Sequence, residues 1–93
     1  MKKPLISIII PVKRINDYIR HEIIPSLEKQ TFQNFELIIL PDKKTKEKLK
    51  GARIIPTWPK TGPADKRDLG VKKAKGEIIS FLDDDAYPAE GWI

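Results

Sequence analysis

Three consecutive aspartates, Asp83 to Asp85, follow an apolar segment near the end of this 93-residue chain. Adjacent carboxylates repel one another, so water, a basic neighbour or a bound cation must offset their charge. Magnesium and manganese prefer oxygen ligands, and magnesium commonly takes one or two carboxylates together with water and phosphate oxygens. Zinc is a poor match, because no cysteine or histidine stands beside the triplet. The triplet therefore indicates either a hard-cation site or a strand that ends in a solvated turn, where aspartate is favoured.

The composition describes one small soluble domain. Hydrophobic residues make up 40% of the chain and charged residues 33%, and there is no cysteine for a disulfide or a thiolate metal site. The apolar run near the N-terminus is too short for a signal peptide or a membrane span, and Pro11 follows it at once. We expect a cytoplasmic chain without a membrane span of its own, although a longer parent protein could associate with a membrane.

The net charge of +5 invites a polyanionic partner, but its distribution argues against nucleic acid. Most of the lysines lie in residues 43–50 and 66–75, where acidic residues are interspersed among them. No aromatic residues alternate with these lysines to stack on bases. The pattern favours solvated helix faces, and we expect no nucleic-acid partner.

Apolar runs and helical patterns alternate along the chain. Strands are predicted over Leu5 to Ile10, Phe35 to Leu40, Arg53 to Ile55 and Glu77 to Leu82. Helices are predicted from Tyr18, capped by Asn16 or Asp17 and interrupted at Pro25, then over Thr45 to Lys50 and Ala64 to Lys75. This order predicts an α/β fold: a three-layer, Rossmann-like open parallel sheet of about four strands, with helices on both faces.

Ligands of open parallel sheets bind beyond the carboxyl ends of the strands. Three segments occupy that edge in the predicted fold, namely Pro11 to Lys13, Pro41 to Lys43 and Asp83 to Asp85. The aspartates are therefore expected to face the ligand crevice.

Three stretches follow one another along the chain: ISIIIPV, SLEKQTFQNFELIIL and KRDLGVKKAKGEIISFLDDDAYP. In this order they resemble the inverting family 2 glycosyltransferases, which have the GT-A nucleotide-diphospho-sugar-binding fold. The last stretch is similar to the family's Arg-Asn-x-Gly, Ala-x-Gly-Glu, an apolar strand and Asp-x-Asp before proline. The resemblance covers nearly all of the chain. It implies a single domain over residues 1–93, the nucleotide-sugar-binding half of such an enzyme, with the acceptor half absent.

The resemblance implies a nucleotide subsite built from three residues. Pro11 marks the contribution of the first strand, Asp42 matches the acid that hydrogen-bonds the base, and Arg67 matches a basic residue facing the base. Asp68 stands where asparagine is usual and places an acid next to Arg67, and Pro41 precedes Asp42 where the family often has a second acid. The base therefore stays open between the UDP-linked and GDP-linked donors.

The resemblance also assigns the triplet. Asp83 and Asp84 are implied in nucleotide-sugar binding through the ribose or metal-bound water. Asp85, with Asp83, is implied as a ligand of a divalent metal, Mn²⁺ or Mg²⁺.

The implied function is the binding of a nucleotide-diphospho-sugar for transfer of the sugar to an acceptor hydroxyl. No residue is a credible general base, which the resemblance places beyond Ile93, so the isolated chain is expected to be a fragment or truncated product without transfer activity. A homodimer through the exposed region of the sheet is a further expectation. The alternative is a non-catalytic α/β module that binds nucleotides or phosphate.

Overall fold

Four parallel strands form one sheet in the computed structural model, which describes residues 4–30, 33–49, 51–57 and 62–82. The strands are β1 (Ile6–Pro11), β2 (Phe35–Leu40), β3 (Ala52–Ile54) and β4 (Ile78–Phe81), in the spatial order β3-β2-β1-β4. Helix α1 consists of a π-helical segment, Ile19–Ile23, followed directly by an α-helical segment, Ile24–Glu28, and helix α2 spans Pro63–Lys73. None of the helices in these ranges combines the length and the apolar character needed to cross a membrane.

Strand β1 is the centre of the sheet. It pairs in parallel with β2 from Ile6 to Pro11 and with β4 from Ile6 to Ile9. Three consecutive residues of β1, Ile8, Ile9 and Ile10, have no exposed surface, which is typical of a parallel strand covered on both faces.

The two faces of the sheet carry separate apolar clusters, so the predicted three-layer α/β fold is confirmed. Ile8 and Ile10 pack with the buried side chains of α1 on one face, among them Ile19 and Ile23. Ile9 packs on the other face with residues that include Ile38 of β2 and Leu69 of α2. Because successive side chains of a strand point to opposite faces, the continuous apolar run of β1 serves both helices.

Helix α1 begins and changes geometry where the sequence predicts. The side chain of Asn16 caps it, since Oδ1 accepts a hydrogen bond of 2.9 Å from the Ile19 N–H. The Ile24 N–H bonds the Ile19 carbonyl, five residues back, directly before Pro25. Proline clashes with the carbonyl four residues earlier in a regular helix, and the wider π-helical turn relieves that clash.

The helix predicted over Thr45 to Lys50 is wrong for the part that the structure describes, 45–49, which is irregular. The Glu47 N–H donates to the Thr45 hydroxyl at 3.1 Å, a local bond that competes with helix formation. The Glu47 carboxylate is held by Arg20, and Leu49 packs against the apolar cluster on the α1 side. These tertiary contacts outweigh the weak helix propensity of so short a charged segment.

A polar network lies at the opposite edge of the sheet from the predicted crevice, near the amino ends of the strands. The Glu36 carboxylate accepts hydrogen bonds from the Ser7 hydroxyl and the Lys75 N–H, both at 2.6 Å, and from Arg53 at 3.1 Å. Ser7 in turn accepts a bond of 2.8 Å from the Gly76 N–H. The sequence predicts that α2 continues to Lys75, but the helix ends at Lys73, and these bonds explain the earlier end. They tie the connection between α2 and β4 to β1, β2 and β3.

We predict that Glu36→Gln destabilises the protein by about 1–3 kcal/mol at neutral pH, because an amide cannot accept all of these bonds. Burial by itself raises the pKa of Glu36, but the bonds from Ser7 and Lys75 and the charge of Arg53 outweigh it, so the pKa falls below the ordinary 4.5. A lowered native pKa stabilises the fold above the unfolded-state pKa, and that stabilisation is lost as pH falls through the native value.

Urea unfolding of wild type and Glu36→Gln between pH 3 and 7 measures this effect. The difference in unfolding free energy should shrink steadily below about pH 4.5. The exposed Glu28→Gln serves as control and should show no such dependence. A Glu36→Gln penalty that stays constant down to pH 3 would contradict the account.

Helix α2 approaches β1 closely at Gly70. A Cβ built on Gly70 would lie 2.6 Å from Cγ2 of Ile9, well inside van der Waals contact. The absence of a side chain at Gly70 therefore allows the short distance between α2 and β1.

We predict that Gly70→Ala lowers the free energy of unfolding by about 1–3 kcal/mol through overpacking. Helix propensity alone predicts the opposite sign, a gain of about 0.5–1 kcal/mol. Gly62→Ala is the control, since a Cβ added at Gly62 would have no atom within 4 Å. Denaturant unfolding shows whether Gly70→Ala lowers or raises the free energy of unfolding. A rise would refute the close approach of α2 to β1.

Candidate functional site

The chain segments that leave β1, β2 and β3 are joined by backbone hydrogen bonds at the carboxyl edge of the sheet. The Asp42 N–H donates to the Lys13 carbonyl at 2.9 Å, and the Thr57 N–H donates to the Pro41 carbonyl at 2.7 Å. The Thr57 hydroxyl also donates to the Pro41 carbonyl, at 2.8 Å. Asp42 therefore sits on a fixed backbone between the exits of two other strands.

Lys66, in the first turns of α2, reaches into this edge. It precedes Leu69 and Gly70 by three and four residues, so it lies on the helix face that packs on the sheet. Only 3% of the residue is exposed. Its Nζ donates to the Val12 carbonyl and to Oδ1 of Asp42.

The ion pair between Lys66 and Asp42 lies at the boundary between core and crevice. The exposed fraction is 4% for the lysine side chain and 19% for the aspartate side chain. A buried ammonium group is costly unless it is paired and hydrogen-bonded, and here two acceptors meet that need. The carboxylate stays partly open to solvent, so it can still receive a ligand.

The predicted nucleotide-subsite residues fall at two places. Pro11 is the last residue of β1, opposite Leu40 in the register with β2, so it shares an edge with Asp42. Arg67 belongs to α2, and its guanidinium carbon is 5.8 Å from the centroid of the ring of Phe81, the last residue of β4. The structure thus brings Pro11 and Asp42 to one edge and places Arg67 against β4.

Lys66 is the candidate that the sequence-based prediction misses, because that prediction assigns the basic residue of this helix to Arg67. The available signal is helical spacing. A lysine four residues before a glycine that packs on the sheet must itself face the sheet, and a cation in that position requires an acid nearby.

A shallow depression of about 440 Å³ adjoins Asp42 on the side of the β1 and β2 exits. Within it, Arg20 is already neutralised, because it bonds Glu47 at 2.5 Å and Asp17 at 2.8 Å. The hydrogen bond from Arg20 lowers the pKa of Glu47. The other lining cations, which form no ion pair within the described part of the chain, are Lys13, Arg14, Lys43 and Lys44. Their field favours an anionic ligand next to Asp42.

The metal and sugar assignments to Asp83, Asp84 and Asp85 lie outside the described residues. The last described residue is Leu82, whose N–H donates to the Ile9 carbonyl of β1 at 3.0 Å. Across 4–30, 33–49, 51–57 and 62–82, no three histidine, cysteine or acidic side chains are grouped to hold a metal. The predicted metal ligands therefore remain a prediction.

The sequence profile of glycosyl transferase family 2 matches residues 7–93. The chain therefore belongs to glycosyl transferase family 2, which confirms the resemblance. Among solved structures, residues covering 89% of the chain superpose on S. aureus TarS 1-349 with a TM-score of 0.72 and 29% identity, over 28% of that chain.

Curated relatives of the chain include proteins named as glycosyltransferases. An uncharacterised glycosyltransferase of Haemophilus influenzae is 36% identical over 96% of this chain. WfaP of Escherichia coli, named as a UDP-Glc:alpha-D-GlcNAc-diphosphoundecaprenol beta-1,3-glucosyltransferase, is 37% identical over 89% of the chain. The chain spans 39% of the first relative and 36% of the second, so it corresponds to a minor part of each.

We predict that Asp42→Asn destabilises the protein by about 3 kcal/mol, because it leaves the Lys66 ammonium buried without its counter-charge. Asp17→Asn is a matched control, because Asp17 also forms an ion pair, with Arg20, but its side chain is 84% exposed. That substitution should cost about 0.5 kcal/mol or less. Urea unfolding at pH 7 measures both, and equal small losses would show that the buried pair contributes nothing.

Proposed function

We propose that this chain forms the nucleotide-sugar-binding part of a family 2 glycosyltransferase. The observation that carries the proposal is the ion-paired Asp42, fixed at the carboxyl edge of a parallel sheet in a chain of this family. Open sheets of this kind bind their ligands at that edge. The donor is a nucleotide-diphospho-sugar, and the reaction transfers the sugar to an acceptor hydroxyl.

The nucleotide end of the donor lies at Asp42. An ionised carboxylate is only an acceptor, so it binds a base through an N–H group. Pro11 borders the same edge, and Arg67 contributes from the side of β4. UDP-linked and GDP-linked sugars both carry such an N–H, and the UDP-Glc in the name of the Escherichia coli relative supports the first.

The diphosphate end is assigned to the triplet that follows Leu82 in the sequence. Three carboxylates without histidine or cysteine suit Mg²⁺ or Mn²⁺, with Asp85 and Asp83 as the ligands and Asp84 towards the sugar nucleotide. A divalent cation bound there supplies electrostatic stabilisation to the diphosphate leaving group. The lysines that line the depression beside Asp42 add positive potential for the same anion.

An inverting transfer also requires a general base that removes the proton of the acceptor hydroxyl. We assign this base and the acceptor pocket to the part of the longer relatives with which this chain does not align. The 93-residue chain should accordingly bind donor nucleotide without transferring sugar.

The cytoplasmic location and the homodimer belong to the same proposal. Support for the dimer comes from β4, a strand at the edge of the described sheet, where Ile78 and Phe81 are 52% and 45% exposed. Unpaired strand edges with apolar side chains are sites of association.

A non-catalytic module that binds phosphate or nucleotides is the second candidate. It is favoured by the basic depression beside Asp42, which needs no aspartate triplet to attract an anion.

Calorimetric titration of UDP and GDP in the presence and absence of Mn²⁺ separates the two candidates. We expect Mn²⁺-dependent binding by wild type and at least a roughly tenfold loss in Asp85→Ala, because the carboxylates hold the cation against the diphosphate. Glu22→Ala, which removes an exposed acid from α1, is the matched control and should bind as wild type does. Equal affinities of wild type and Asp85→Ala would favour the non-catalytic module, and an absence of metal-dependent binding would refute nucleotide-sugar binding by this chain.

A further inference from the structure

Lys66 is the only buried charged residue within the described ranges. It lies on the face of α2 that also carries Leu69 and Gly70, where apolar packing prevails. A well-packed apolar residue in place of a buried ion pair is often at least as stabilising. A buried ammonium group next to the predicted ligand crevice therefore calls for a reason beyond stability.

The geometry around Asp42 supplies such a reason. Lys66 holds Oδ1, and the backbone N–H of Asp42 is fixed on Lys13, so both the carboxylate and its peptide are immobilised. The second oxygen, Oδ2, forms no hydrogen bond to other residues in the described part of the chain. The pair presents one free acceptor beside a fixed positive charge.

We propose that Lys66 is a positioning residue that acts through Asp42. Together they make the base subsite selective for a nucleobase whose hydrogen-bonding edge has a ring N–H beside a carbonyl. This inference rests on the proposed function and deepens it. The N–H of such an edge donates to Oδ2, and the adjacent carbonyl oxygen lies in the favourable field of the ammonium group. Uracil and guanine have this edge, whereas cytosine and adenine lack the ring N–H.

The pyrimidines uracil and cytosine provide a matched pair of probes. UDP and CDP carry the same ribose and diphosphate, so any interaction with metal or lysines is common to both. Cytosine directs an unprotonated ring nitrogen at an acceptor-only carboxylate, which leaves two lone pairs facing each other. Discrimination between UDP and CDP therefore reports on contacts to the base, and the Lys66 variant isolates the contribution of the pair of Asp42 and Lys66.

The test measures UDP and CDP affinities, with Mn²⁺, for wild type, Asp42→Asn, Lys66→Met and the double variant. We expect wild type to prefer UDP by about tenfold or more, and Lys66→Met to lose most of that preference. The double variant should bind UDP no more weakly than Asp42→Asn, because Lys66 acts through Asp42. Lys72→Met, which removes an exposed lysine from the same helix, should retain the wild-type preference.

The outcomes separate this inference from the proposed function. If Asp42→Asn loses UDP while a folded Lys66→Met keeps the wild-type preference, nucleotide binding stands and the role of Lys66 is refuted. Equal affinity of wild type for UDP and CDP also refutes it. If wild type binds neither nucleotide, both proposals fall.

A measurement on wild type covers the case in which Lys66→Met does not fold. In a sample with isotope-labelled lysine side chains, saturation with UDP should shift the Lys66 signal and leave that of Lys72 in place. An unchanged Lys66 signal at saturation would overturn the proposal.

Discussion

The need of one buried ammonium group for acceptors organises the carboxyl edge of this domain. Lys66 is inserted between α2 and the sheet, and it is satisfied by the Val12 carbonyl after β1 and the Asp42 carboxylate after β2. An unpaired cation in that position would cost several kcal/mol, so the exits of both strands and the start of the helix are held together. The same constraint leaves a carboxylate, partly exposed, at the place where open parallel sheets bind ligands.

Other features of the fold place that cation. Gly70 lets α2 approach Ile9 closely enough for Lys66, one helical turn earlier, to reach the strand exits. At the opposite edge, Glu36 and Ser7 anchor the connection between α2 and β4. The helix is therefore fixed at both ends, by a polar network near the amino ends of the strands and by the ion pair near their carboxyl ends. Two of the stretches that carry the resemblance meet in that network, since Glu36 lies in SLEKQTFQNFELIIL and Gly76 lies in KRDLGVKKAKGEIISFLDDDAYP.

Periodicity and residue type were sufficient to predict the parallel sheet, its two helical layers, a helix cap at Asn16 or Asp17 and the break at Pro25. Each of these follows from local rules or from the burial of a continuous apolar strand. Interactions between distant segments were beyond such rules. The segment 45–49 is irregular because Arg20, 27 residues before Glu47 in sequence, binds that side chain. Likewise, Lys66 and Asp42 are 24 residues apart, and only the packing of α2 on the sheet brings them into contact.

A structure of the chain with UDP and Mn²⁺ bound tests the central claim most directly. We expect N3 of uracil to lie within hydrogen-bond distance of Oδ2 of Asp42 while Nζ of Lys66 still holds Oδ1. A base bound away from the β1 and β2 exits, or a Lys66 side chain displaced from Asp42 by the nucleotide, would contradict the claim.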